Sequence, residues 1–353
     1  MQNNMYTKSS SQNTQPRQNL AIELVVIVLC MAVVYSAVRF FLDRSNYSKG
    51  NEAYRRVDCS VAIGHFDSVI NNWRIADIGG YAALSQQEKS ECLDFKPALN
   101  QEQAGNASQA IVAYKNFINN HNTDTFLVKA ARDRVKSLFE KNQPGQLATP
   151  ELCDNLSQLQ TNLIPQPDTN LPPLYFACAE KYTSLRDYNK ATPMYESFLD
   201  QYPNHSLASQ VKAAWAKSLV AQANDEGAGS LPAPELSGST DGGPPVVTIQ
   251  NDSPEPMRIV FSGPEGRIEE LEECSSCQKY VGKGPESCPN QGPVGRYTLQ
   301  PGEYDVVVKS TANKRVKPFK GSWTMNSGST YSNCFYIITN PLEAEEGQSN
   351  PSP

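Results

Sequence analysis

Nine cysteines hold most of the chemistry this chain can offer. The tightest group is Cys274-Ser-Ser-Cys277, followed eleven residues later by Cys288 and far downstream by Cys334. Four thiolates there could close a tetrahedral zinc site, and one C-x-x-C is the usual half of it. A zinc ribbon carries a second C-x-x-C, which Cys288 and Cys334 do not make. The expectation is therefore two disulfides that clip a Gly/Pro-rich loop, with zinc at Cys274, Cys277, Cys288 and Cys334 as the alternative. A redox-active dithiol is the third reading, without a thioredoxin-like βαβ context around it. Cys59, Cys92, Cys153 and Cys178 fall in a helical region, and Cys30 lies inside an apolar run. The eight cysteines beyond Cys30, four in each module, suit disulfides and an oxidising compartment. Pairings do not follow from sequence; Cys59 with Cys92 and Cys153 with Cys178 would tie neighbouring helices.

Other reactive groups give less. His65, His121 and His205 stand near predicted helix ends with no acid–nucleophile pattern around them, and read as structural or solvated. The run Glu269-Glu270-Leu271-Glu272-Glu273 reads as a solvated acidic edge, because calcium loops need spaced oxygen ligands. No phosphate-loop, H-E-x-x-H or G-x-S-x-G motif occurs. A net charge of −6, with no cluster of basic and aromatic residues, argues against nucleic-acid binding. No catalytic residue, cofactor or enzymatic activity is expected.

The elements that would position the cysteines begin with a polar tail, 1–19, which reads as disordered and cytoplasmic. Residues 20–42 form an apolar run, uncharged from Leu24 to Val38 and flanked by Glu23 and Arg39, long enough to cross a bilayer. It reads as a single uncleaved anchor rather than a signal peptide, since no small-x-small site follows. Nor does it read as a lipoprotein signal, because Leu29 precedes Cys30. Basic residues after the span favour a cytoplasmic body, but large domains cross regardless of such charges. Cysteine parity places the body outside the cytoplasm.

From 47 to 223 the apolar period is helical. Ala62 and Phe66, then Ala110, Tyr114 and Phe117, then Ala179, Tyr182, Ala191, Tyr195 and Phe198 with Pro203 repeat one small–aromatic–proline pattern. Ala110 and Ala191 lie 81 residues apart, as do Lys136-Ser137-Leu138 and Lys217-Ser218-Leu219, which marks an internal duplication. The extra length holds helices near 85–93 and 149–163, where Ser85 with Glu88 reads as a capping box and Thr149-Pro150 as a helix start. This pattern resembles the tetratricopeptide repeat, a stack of helix pairs of roughly 34 residues each. The Tyr195-to-Pro203 ending is similar to that of bacterial envelope repeat families, the periplasmic Tol-Pal coordinator and the outer-membrane assembly repeat lipoprotein. The resemblance implies an adaptor whose polar inner positions, such as Asn116, Lys181 and Arg186, line a concave peptide groove.

Residues 224–245 are Gly-, Pro- and Ser-rich and read as a linker. Over 246–340 the period changes to two, with strands expected at Val246–Gln250, Met257–Phe261, Tyr304–Val308 and Cys334–Ile338. A small β-sandwich follows, and its L-x-P-G-x-Y-x-V-x-V stretch resembles extracellular immunoglobulin-like and carbohydrate-active accessory domains. Residues 341–353 read as a free acidic tail. The fold class is thus α plus β and multidomain: one transmembrane helix, an irregular repeat solenoid and a β-sandwich. The functional expectation is a single-pass inner-membrane scaffold with a periplasmic body, binding other envelope proteins; the families it resembles imply partners at the division site or septum. Two alternatives stand beside it: a cell-wall or carbohydrate binder acting through the β-domain, and a cytoplasmic-facing scaffold with a four-cysteine zinc site.

Overall fold

The computed structural model describes residues 16–121, 124–159, 163–239, 241–312 and 316–339, and the tail segments 1–15 and 341–353 lie outside them. The chain is mixed α/β and divides into two units, Met1–Lys141 and Asn142–Pro353.

The first unit is helical: α1 (Pro16–Arg55), α2 (Cys59–Ile70), α3 (Tyr81–Gln103), α4 (Ala107–Asn120) and α5 (Phe126–Lys141). Each packs on the next, and α1 and α5 also touch α3. The helix begins at Pro16, inside the stretch read as a disordered tail. From Ile22 its apolar part reaches a mean hydropathy of 2.5 with none of it buried, long and apolar enough to cross a membrane. Beyond it the same helix buries Asp43, Gly50, Ala53 and Tyr54. At Gly50 the Phe66 ring of α2 sits where a Cβ would go.

Three turns share one geometry. Val57, Gly105 and Arg186 each adopt positive φ (62°, 78° and 59°). Asp58, Asn106 and Asp187 follow as N-caps with ψ of 73°, 69° and 71°. Each cap residue donates its N–H five residues back, to Ala53, Gln101 and Tyr182, and accepts from Ala62, Ala110 and Ala191. Those three alanines are 0% exposed, and Phe66, Tyr114 and Tyr195 follow four residues later on the same buried face. The alanine is small because the preceding helix crosses there. The duplication is also visible in the helix bounds, since α4 maps onto the later helix Tyr188–Gln201 with a uniform shift of 81.

Two expectations are corrected. Ser85 and Glu88 do not start a helix: the Asp77 carboxylate accepts the Ala82 and Ala83 N–H groups, so α3 is already under way and Ser85 is buried within it. His65 lies mid-helix in α2 rather than at an end.

The second unit opens with three short helices, α6 (Pro144–Leu147), α7 (Pro150–Asp154) and α8 (Leu156–Leu159). They replace the one helix expected over 149–163. Thr149 caps α7 by accepting the Leu152 N–H, with Pro150 at the first position. Then come α9 (Pro167–Ser184), α10 (Tyr188–Gln201) and α11 (Ala208–Asp225), followed by eleven strands. These are β1 (Gly229–Ser230), β2 (Glu235–Ser239), β3 (Val246–Asn251), β4 (Met257–Ser262), β5 (Gly266–Leu271), β6 (Tyr280–Val281), β7 (Val294–Thr298), β8 (Gly302–Ser310), β9 (Phe319–Met325), β10 (Ser329–Phe335) and β11 (Ile338–Thr339). They form sheets ordered β1-β9-β8-β4-β5, β2-β10-β3-β7 and β11-β6, none closed into a barrel. Side chains of the two larger sheets meet in one core, where Phe261 touches Tyr297, Tyr304 and Trp323.

The segment read as a linker contributes to both sheets. β1 pairs in parallel with β9, and β2 pairs antiparallel with β10. Leu231 between them enters the core, and Pro232 accepts the Trp323 indole N–H at 2.9 Å. Edge pairing uses backbone groups alone, so no apolar period announced it. The last expected strand is also displaced, because β10 starts at Ser329.

One face of the five-stranded sheet belongs to that core. The other carries α11: Ala216, Val220 and Ala223 pack on Val260 and Val307. Both faces are therefore dry, which explains the consecutive apolar residues of β4 and β8. At Gly266 the α11 backbone comes so close that a Cβ would fall on Ala213. Gly266→Ala is expected to lower stability by about 1–3 kcal/mol through overpacking. Val57→Gly, which relieves a β-branched residue at positive φ, is expected to raise it by about 1 kcal/mol. Thermal and urea unfolding of the full chain in detergent checks both.

Candidate functional site

The faces of α1, α3 and α5 enclose a groove in the first unit. Asn51, Tyr54 and Arg55 come from α1, Leu84, Gln87, Glu88 and Glu91 from α3, and Thr125 and Phe126 from the start of α5, around about 240 Å³. Gln87, Glu91 and Thr125 also line an adjoining recess of about 700 Å³, together with Gln86, Ser90, Asn120 and His121. Helical spacing makes this groove. Residues 84, 87, 88 and 91 share one face of α3, and Glu91 and Phe95 continue that stripe into the buried part of the helix.

Two carboxylates dominate its floor. Tyr47 and Asn51 both donate to Glu88 Oε1 at 2.9 Å, while Glu88 Oε2 is buried without a hydrogen-bond partner. Tyr54 donates to Glu91 Oε2 at 2.5 Å. Burial pushes the Glu88 carboxyl above its ordinary range, and the hydrogen bonds from Asn51 and Tyr47 offset part of that. Burial, followed by its bond to Glu88, raises the Tyr47 phenol to about 12. Tyr54 is raised too, first by burial and then by Glu91. Both phenols stay neutral donors at physiological pH. The groove holds the Glu88 and Glu91 carboxyls and the Arg55 guanidinium, with the exposed apolar edges Leu84 and Phe126 beside amide side chains. Such a surface can hold an extended polypeptide, because its amide side chains can bond a peptide backbone and its apolar edges can take a side chain.

The histidines sit in structural contacts. His121 caps α4, stacks on Phe117 and places Nε2 3.2 Å from the Asp94 carboxylate. His205 packs edge-on against Phe198 and accepts the Leu207 N–H through Nδ1. Asn116, Lys181 and Arg186, expected to line a concave surface, do not line this groove. Asn116 is exposed on α4, Lys181 is on α9, and Arg186 pairs with Asp225. For Asn116 the reason is register, since the groove is lined by first helices of pairs and α4 is a second one; Lys181 and Arg186 belong to the second unit.

The repeat residues of the second unit are core. Tyr182 donates to Asp154 at 2.6 Å, and Tyr195 stacks on Trp215. Ala179 and Phe198 are fully buried, and Pro203 follows the last turn of α10. A further recess of about 580 Å³ lies where α11 meets β5, lined by Lys212, Trp215, Arg267 and Glu269. Its Trp215 ring is only 8% exposed, with Tyr195 on it and the Arg258 guanidinium 5.4 Å from the ring centre.

The cysteines pair as Cys59–Cys92, Cys153–Cys178, Cys274–Cys277 and Cys288–Cys334. The first joins α2 to α3, the second joins α7 to α9, and the last fastens the loop after β5 to β10. A sulfur held in a disulfide offers no thiolate, so the four C-terminal cysteines are arranged as two bridges rather than a zinc cage. Among the described residues no group of three or more His, Cys, Asp and Glu is placed to hold a metal. Sequence reasoning missed the centre that positions this loop. The buried Asp252 carboxylate accepts the N–H groups of Asn290, Gln291 and Gly292, while Asn251 Nδ2 bonds the Glu255 and Glu272 carbonyls. Its only signal was the Asn-Asp-Ser-Pro turn composition after a strand.

Glu88 holds its proton more tightly folded than unfolded. Its contribution favours the fold at acid pH and is lost as pH rises from the unfolded carboxyl value through the raised folded one. Glu88→Gln removes this titration and keeps an acceptor for Tyr47 and Asn51. The variant is expected to match the wild type in acid and to exceed it at neutral pH by on the order of 1 kcal/mol. Denaturation across a pH series reads the difference. The chain matches no protein-family model and no curated protein.

Proposed function

We propose that this chain is a membrane-anchored scaffold whose helical hairpins capture a segment of a partner protein. The observation that carries the reading is that α1 serves two purposes. Its first part is long and apolar enough to span a bilayer, and its last turns supply Asn51, Tyr54 and Arg55 to the groove. A ligand held there is held at a fixed short distance from the membrane. The three equivalent turns, with Ala62, Ala110 and Ala191 at one position, support a tetratricopeptide-like reading of the helical parts. The shared core of two sheets supports a β-sandwich with α11 as its outer cover. On this reading the protein is an adaptor of the cell envelope, with its body outside the cytoplasm, where four disulfides persist.

The glycan-binding alternative finds less support. Carbohydrate sites present an open aromatic face, and the large aromatics Phe261, Tyr304 and Trp323 of the β-domain are all buried in its core.

Two measurements test the proposal. A photo-crosslinking residue at Gln87, in the groove, is expected to trap a partner protein in cells, whereas one at Asn116, exposed on α4, is not; equal yields would refute a groove-specific partner. Thiol titration of denatured, unreduced protein is expected to find one thiol, from Cys30, and all nine after reduction. Eight additional free thiols together with bound zinc would instead place the body in the cytoplasm.

A further inference from the structure

The loop between α2 and α3, residues 71–80, leaves three large apolar side chains open: Trp73 is 71% exposed, Ile75 53% and Ile78 48%. Clustered exposure of this kind marks a surface that meets something other than water. What it meets is set by where the loop is fastened. The Tyr35 hydroxyl donates to the Trp73 carbonyl at 2.6 Å, and the two rings lie 5.4 Å apart. Phe40 packs on Tyr81 at 5.8 Å, and Gly79 lies against the Phe40 ring. The loop therefore lies along the end of the apolar part of α1.

Depth follows from helix geometry. At about 1.5 Å per residue, Tyr35 stands roughly 5 Å short of Val38, where the uncharged stretch ends, and roughly 10 Å short of Leu42. Amphipathic elements that rest in a bilayer sink about 5–10 Å into the boundary between headgroups and acyl chains. Tryptophan prefers that zone, with its ring in the apolar part and its N–H toward water.

The charges beside the loop are arranged for such a place. Arg39 bonds Asp43 at 2.6 Å, Arg74 lies between Asp43 (4.0 Å) and Asp77 (3.6 Å), and Asp77 caps α3. Arg74 also donates to the Val69 carbonyl. Two arginines and two aspartates cancel, and the Arg39, Asp43 and Arg74 side chains are each 15% exposed or less. A neutral, shielded ladder can approach lipid where a lone arginine could not.

We propose that the α2–α3 loop is a second membrane contact, inserting Trp73, Ile75 and Ile78 into the lipid interface beside α1. A single helix leaves its cargo free to rotate about the helix axis. This second contact fixes the rotation, and with it the direction in which the groove of α1, α3 and α5 opens. The inference rests on α1 spanning the bilayer.

The test uses the full chain in proteoliposomes. Carbonate extraction reads the span, and the fluorescence difference between wild type and Trp73→Phe isolates Trp73. Expected is a carbonate-resistant protein whose Trp73 signal loses most of its intensity to lipids brominated near the headgroup and little to aqueous acrylamide. Resistance with quenching by acrylamide alone overturns the loop insertion and leaves the span standing. Resistance with protection from both quenchers overturns it in favour of a second copy of the chain covering the loop. Release by carbonate overturns the span and the insertion together.

Discussion

The backbone hydrogen bonds of α1 run unbroken from Pro16 to Arg55, and the rest of the first unit depends on that continuity. In lipid an unpaired amide costs several kcal/mol, so a spanning segment must satisfy its own backbone. A helix that carries on past the interface has no hinge at which the body can turn away. The side chains change while the backbone does not: uncharged from Leu24 to Val38, a shielded ladder of charges at Arg39 and Asp43, then one face for α2 and another for the groove. Gly50 makes the last step possible, because only its missing side chain admits the Phe66 ring.

The second unit solves a different problem. A five-stranded sheet with one face in a shared core needs cover on the other, and α11 provides it through Ala216, Val220 and Ala223, with Leu219 beside them. Small residues bring the helix axis close, until at Gly266 backbone meets backbone. That contact makes the last repeat helix part of the β-module. The helix is not a spacer in front of it.

The disulfides reinforce places where short elements bury little. Helix α7 has five residues, and Cys153–Cys178 holds it to α9. The loop after β5 has almost no regular structure, and it is kept by Cys288–Cys334 together with the Asp252 carboxylate. For closed loops of this size a bridge contributes about 2–4 kcal/mol, mainly by restricting the unfolded chain. Cys274–Cys277, three residues apart, closes too little chain to do the same and instead shapes its own turn.

Much of this architecture was legible in the residues. The apolar run, the alanine–aromatic spacing and the change to a period of two after Pro245 are local signals, each written within one or two turns or strands. The 81-residue duplication even announced the equality of α4 and α10. What the chain alone could not convey was partnership at a distance. Edge strands β1 and β2 pair through backbone groups that every residue carries, so they looked like a linker. Asn116, singled out as a polar inner position, does not line the recess of α1, α3 and α5, because a polar exposed residue looks the same on either member of a pair. Glu88, which read as half of a capping box, becomes a half-buried acceptor only because α1 brings Tyr47 and Asn51 to it. Periodicity determines which side of an element is apolar; only the tertiary structure decides which neighbour that side meets, because that choice is made by packing between segments far apart in sequence.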